Sequence, residues 1–134
     1  MAFGVQKLVH QPHGVVLGRV RAALDAEGFV VLTPHDVADA FDQAFGLEIP
    51  PQVTLGVCTP GLAHATLQAD PSVGLLVPCS VVVRAADPGR TVVEASRLHL
   101  IVALTGDRAL EPAVADADAR LRAACDRLAD LSCP

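Results

Sequence analysis

Aromatic side chains are nearly missing from this chain, which has four Phe, no Trp and no Tyr among 134 residues. Its core is therefore expected to be built from Val, Leu, Ala and Ile. Stacking of nucleic-acid bases needs aromatic platforms, so the scarcity argues against that partner. Lysine is just as scarce, with Lys7 the one example, and the formal net charge is −5. A surface of that sign does not attract a phosphate backbone, so nucleic acid is not an expected partner. The N-terminus lacks a charged segment followed by an apolar core and a cleavage site, so no signal peptide is read there. No apolar run is long enough to span a membrane. The longest, around residues 73–83, is broken by Pro78 and Ser80. A cytoplasmic protein with no membrane partner is the expectation.

About half of the chain, 51%, is apolar, which suffices for one ordinary domain covering residues 1–134. The four cysteines, Cys58, Cys79, Cys125 and Cys133, are expected to be free thiols in a reducing compartment. They form no Cys-x-x-Cys and accompany no paired histidines, so no zinc template is present.

The pattern of residues predicts a mixture of helices and strands. Residues 5–9 alternate weakly, as a first strand. Val16, Val20, Ala23 and Leu24 recur at helical spacing, and Gly28 is a natural stop for that helix. Phe29–Leu32 reads as a strand. Thr33-Pro34 is expected to cap a second helix whose apolar face is Val37, Ala40, Phe41, Ala44 and Phe45, with Gly46 ending it. Val53–Val57 is a third strand running into Cys58. Thr59-Pro60 then looks like an N-cap with proline at the first helical position, and the helix would bury Leu62, Ala63 and Leu67 until Asp70-Pro71 closes it. Leu75–Val83 is expected to be an apolar strand containing Pro78, hence an edge strand or a bulged one. A turn at Asp87-Pro88-Gly89 leads into a hairpin arm over Thr91–Ser96. Residues 98–104 fit strand or helix. The clearest helix is Ala113–Leu131, whose stripe is Val114, Ala117, Leu121, Ala124, Cys125 and Leu128, with Asp116, Arg120, Arg122 and Arg127 facing away. The hairpin favours an antiparallel or mixed sheet, so the fold class is α+β.

Cys58 is the sharpest chemical candidate. It stands at a strand end directly before a helix start, where free N–H groups and the positive end of the dipole stabilise a thiolate. The structural alternative is a small buried residue at a tight junction. Cys79 follows Pro78, and a bulge there would re-aim its side chain toward a site; packing in the core is the alternative. His64, on the helix after Cys58, would complete a nucleophile–base pair or half of a soft-metal site if the fold brought it to a cysteine. Cys58, Cys79 and His64 are thus the candidate metal ligands, although no metal is identified. His10, His13, His35 and His99 show no metal-ligand spacing, His35-Asp36 reads as helix-start capping, and Lys and Arg show no clustering. Cys125 reads as structural and Cys133 as exposed. No carboxylate pair and no phosphate loop is found.

The run Leu55-Gly56-Val57-Cys58-Thr59-Pro60, then Ala63-His64, Leu67, Asp70-Pro71, Gly74-Leu75-Leu76, Pro78-Cys79 and Val81-Val82-Val83, resembles the bacterial and archaeal "domain of unknown function three hundred and two" family. Gly28-Phe29-Val30-Val31, Asp36-Val37 and Gly46 fit it as well. The resemblance implies a compact α+β domain with a curved, mainly antiparallel sheet packed by three to four helices, the last of them long. It also implies a homodimer, and it implies no biochemical activity. The family usually has Asn where Thr59 and Ser80 stand.

The expected function is a non-enzymatic small-ligand-binding or interaction domain. Its candidate ligand-binding residues are Cys58, Thr59, His64, Cys79 and Ser80; no catalytic residue and no cofactor are assigned, and a small molecule is the expected ligand. Two alternatives stand beside it. One is sulfur, redox or soft-metal handling through Cys58 and Cys79; the other is a purely structural or assembly role.

Overall fold

The computed structural model describes residues 4–129. Cys133 lies outside them, as does the end of the helix expected to reach Leu131. Five strands form one sheet in the order β1-β5-β4-β3-β2: β1 Gly4–Val9, β2 Val30–Asp36, β3 Gln52–Cys58, β4 Cys79–Asp87 and β5 Arg90–Ser96. Every neighbouring pair is antiparallel. The helices are α1 His13–Ala26, α2 Val37–Phe45, α3 Pro60–Ala69, α4 His99–Thr105 and α5 Glu111–Ala129. Single 3-10 turns cover Pro71–Leu75 and Arg108–Leu110. Residues 98–104, which fitted strand or helix, are thus mostly helical.

Strand alternation sorts the sheet into two faces. Val53, Leu55 and Val57 of β3, Val81 and Val83 of β4 and Val93 and Ala95 of β5 are buried on one of them. Val16, Val20, Ala23 and Leu24 of α1 and the expected stripe of α5 belong to the same core. At about 25 cal/mol per Å2 of apolar surface removed from water, such aliphatic burial is the main stabilising term. Gly28 closes α1 at φ +84°, which lets the Phe29 N–H return to Leu24 O at 2.9 Å.

Two prolines exchange their expected places. Thr33-Pro34 does not cap a helix. Pro34 lies inside β2, an edge strand where one missing N–H is tolerated, and Asp36 caps α2 by accepting from Asp39 N at 2.9 Å. Pro78 is not inside a strand. The chain turns through Pro71–Leu75, and β4 begins only at Cys79, as an inner strand in regular register with β3. The Val77–Pro78 peptide bond is cis. The expected bulge beside Cys79 is absent; the register shifts lie between Val31 and Thr33 of β2 and between Ala85 and Asp87, at the far end of β4.

The apolar face expected of α2 is only partly covered: Val37 and Ala40 are half-buried, Phe41, Ala44 and Phe45 are exposed, and none of the five is fully buried. Leu67 of α3, expected in the core, is 72% exposed. Leu62 is buried as expected, Ala63 is half-buried, and Thr66 takes the place expected of Leu67 on the buried side of α3.

Candidate functional site

Cys58 ends β3 opposite Val30 and is 3% exposed. Thr59 follows as the cap of α3. Its Oγ1 accepts from Leu62 N at 3.2 Å, and Pro60 occupies the first turn, as the residue order predicts. Cys79 begins β4 opposite Val57 and is 4% exposed. Alternation along the ladder sends the two side chains to opposite faces, Cys79 with Val57 and Val81, Cys58 with Gly56 and Thr54.

A cleft of about 210 Å3 opens beside Cys58. Cys58 and Val73 are its buried lining residues from β3 and the 3-10 turn, and Thr66 is the buried one from α3. Ala63, Leu67 and Asp70 add to the α3 wall. With Thr66 they stand at positions i, i+3, i+4 and i+7, one continuous helix face. Leu32 closes the β2 side and lies between Val31 and Thr33, where the register shifts; such a shift re-aims a side chain. Val77 and Pro78 close the remaining side. Pro78 can lie there because Gly56 has no side chain: a Cβ on Gly56 would stand 2.3 Å from Thr33 Oγ1 and 3.0 Å from Pro78 Cγ.

The lining is almost wholly apolar. The Thr66 hydroxyl is already engaged with Leu62 O at 2.9 Å and Ala63 O at 3.0 Å. Burial raises the Cys58 thiol, partly offset by the backbone hydrogen bond at Thr59. Burial also pushes Cys79 up to about 12, and the adjacent Cys58 charge adds to the rise. The helix start therefore does not make a thiolate of Cys58: desolvation outweighs the favourable backbone contact.

Of the five expected site residues, Cys58 alone lines the cleft. Thr59 is outside the lining and is the buried cap of α3. His64 is exposed on α3, outside the lining. Cys79 is buried in the core. Ser80 is exposed, and its N–H donates to Ser96 Oγ at 3.2 Å while its carbonyl accepts from the same hydroxyl at 3.1 Å. Among the described residues, no group of three His, Cys, Asp or Glu side chains is placed to hold a metal ion. None of their helices is long and apolar enough to cross a membrane. Away from the cleft, buried Asp118 accepts from Arg122 at 2.9 Å and lies 3.4 Å from His99, tying α4 to α5.

Apart from Cys58, none of the lining residues is among the expected site residues. The helical spacing of 63, 66, 67 and 70 was the available signal for α3, since it marks a second face beside the buried Leu62. Nothing local signals Leu32 or Val73, which only the fold brings to Cys58.

A family model described as "Domain of unknown function DUF302" matches residues 5–128. Among solved structures, the crystal structure of an uncharacterised conserved protein DUF302 from Bacillus stearothermophilus is 31% identical. It covers 96% of this chain and 99% of its own, with a TM-score of 0.82. No curated protein matches the chain.

Proposed function

The chain belongs to the DUF302 family, and from that membership and the construction of the cleft we propose that the protein is a small-ligand-binding domain whose site is the cleft beside Cys58. The observation that carries this reading is the identity of the walls. Cys58, Ala63, Leu67, Asp70, Gly74 and Pro78 are residues of the family-like motif, and all of them line one cavity. Apolar lining with a few polar groups is the usual make-up of a small-molecule site. The size suits a compact ligand, since an apolar cavity of about 150 Å3 takes up benzene.

Thiol chemistry has weaker support. The thiolate is the nucleophile, and burial holds both Cys58 and Cys79 in the neutral form at pH 7. The protein is accordingly read as a binder rather than an enzyme. Titrating 15N-labelled protein with benzyl alcohol tests the site. The amide signals of Cys58, Thr66, Val73 and Val77 are expected to shift together and saturate. Shifts scattered over the surface, or none at millimolar ligand, would contradict the proposal.

A second copy of the chain is the proposed macromolecular partner, on a separate observation. Phe41 and Phe45 of α2 pack edge to face at 5.7 Å, yet Phe45 is 68% exposed and no α2 residue is buried. Leu47, Val30 and Leu32 are also exposed, on the segments flanking α2. Open apolar surface of this kind marks an interface.

A further inference from the structure

Every element that builds the cleft is free of Lys and Arg. None of the ten Lys and Arg residues lies between Arg21 and Arg84, whereas seven of the fifteen carboxylates do. That stretch supplies β2, β3, α3 and the Pro71–Leu75 turn, and with them the whole lining of the cleft. Lys and Arg are therefore absent from the lining of the cleft, and Arg108, at the start of the 3-10 turn that packs against α3, is outside it. Within the lining, Asp70 is the one ionisable side chain besides Cys58. Its Oδ1 accepts from Ser72 N at 2.9 Å, and among the described residues no side chain or backbone N–H donates to its second carboxylate oxygen.

The backbone adds to the same sign of charge. Asp70 ends α3, its N–H donating to Thr66 O at 3.3 Å, so the carbonyl end of the helix lies at the rim with the carboxylate. The last turn of α3 has no basic residue to offset it. The cations of α5 that reach the junction of α1 and β2 are occupied. Arg120 is held by Asp116 at 3.0 Å and donates to Glu27 O at 3.3 Å, and Arg127 is held by the Glu27 carboxylate at 2.9 Å.

We infer that the cleft selects a small apolar molecule carrying an amine, with its apolar body against Cys58 and Val73 and its ammonium group at Asp70. A carboxylate of the same size meets no cation in the lining and is disfavoured by Asp70 and the carbonyl end of α3. The ammonium gains a charge-assisted hydrogen bond, modest in size because Asp70 is exposed. This rests on the cleft being the ligand site.

Benzylamine, benzyl alcohol and benzoate share a ring and differ in charge. Titrated at low salt and pH 7, benzylamine is expected to bind about two- to five-fold more tightly than benzyl alcohol, with benzoate the weakest. Asp70→Asn keeps an acceptor for Ser72 N, and so the turn, and is expected to bring benzylamine and benzyl alcohol to equal affinity. Equal affinities in the wild type, or an amine preference that survives Asp70→Asn, would overturn the inference while leaving the ligand site in place. Failure of all three compounds to bind would overturn both.

Discussion

Cys79 shows how little a residue's identity says without its surroundings. A thiol of ordinary pKa 9.0 is pushed up to about 12, first by burial and then by the neighbouring Cys58. The folded state thus holds this proton more tightly than the unfolded chain. The associated stability is full below pH 9 and is lost as the pH rises from there toward 12, by at most about 1.4 kcal/mol per pH unit. Urea melts across that window should show wild-type stability falling more steeply than that of Cys79→Ala. Cys58 and Cys125, which burial also raises, leave a residual slope in the variant. Equal slopes would contradict the assignment. Gly56 is a second position set by its surroundings, because an added methyl collides with Thr33 and Pro78. Gly56→Ala is expected to destabilise by about 1–3 kcal/mol. Thr33→Ala in the same chain should recover part of that loss in denaturant melts, because the closer of the two clashes is with the Thr33 hydroxyl.

At the scale of elements, α3 can be tested through its cap. Thr59→Ala removes the acceptor for Leu62 N and should lower stability by about 1 kcal/mol in chemical denaturation. This cap was legible in the sequence because Thr-Pro before a helix is a local signal. The stripe of α5 was legible for the same reason, since five turns of one periodicity outvote any local ambiguity. The stretch from Val73 to Pro78 was not. It is apolar because it walls a cleft, and periodicity does not separate an apolar turn from an apolar strand. Pro34 misled in the opposite direction: proline usually argues against a strand, but β2 lies at the sheet edge. The apolar face of α2 was read correctly as a pattern. Its burial was not, because amphipathicity tells which side seeks cover and not whether this chain supplies it. Phe45→Asp is expected to leave the melting temperature nearly unchanged and to shift sedimentation from dimer to monomer. A wild-type monomer, or a dimer that survives the substitution, would exclude α2 as the interface.

Over the whole molecule, charge and apolar surface divide in a way the composition hides. The net charge of −5 averages a stretch with no Lys or Arg, running from the end of α1 into β4, with segments that hold all ten of those cations. The cleft, the exposed face of α2 and the β2 edge all belong to that stretch. Six residues of the motif recognisable in the sequence meet there, and the two cysteines divide between the faces of the sheet: Cys58 lines the cleft, whereas Cys79 stands with Val57 and Val81. The central claim is therefore that the space beside Cys58 is a ligand site. Calorimetric titration of benzyl alcohol into the wild type and into Ala63→Leu, whose larger side chain occupies that space, tests it most directly. The predicted result is saturable binding by the wild type and none by Ala63→Leu, with the two proteins melting at similar temperatures. Equal binding by both would contradict it.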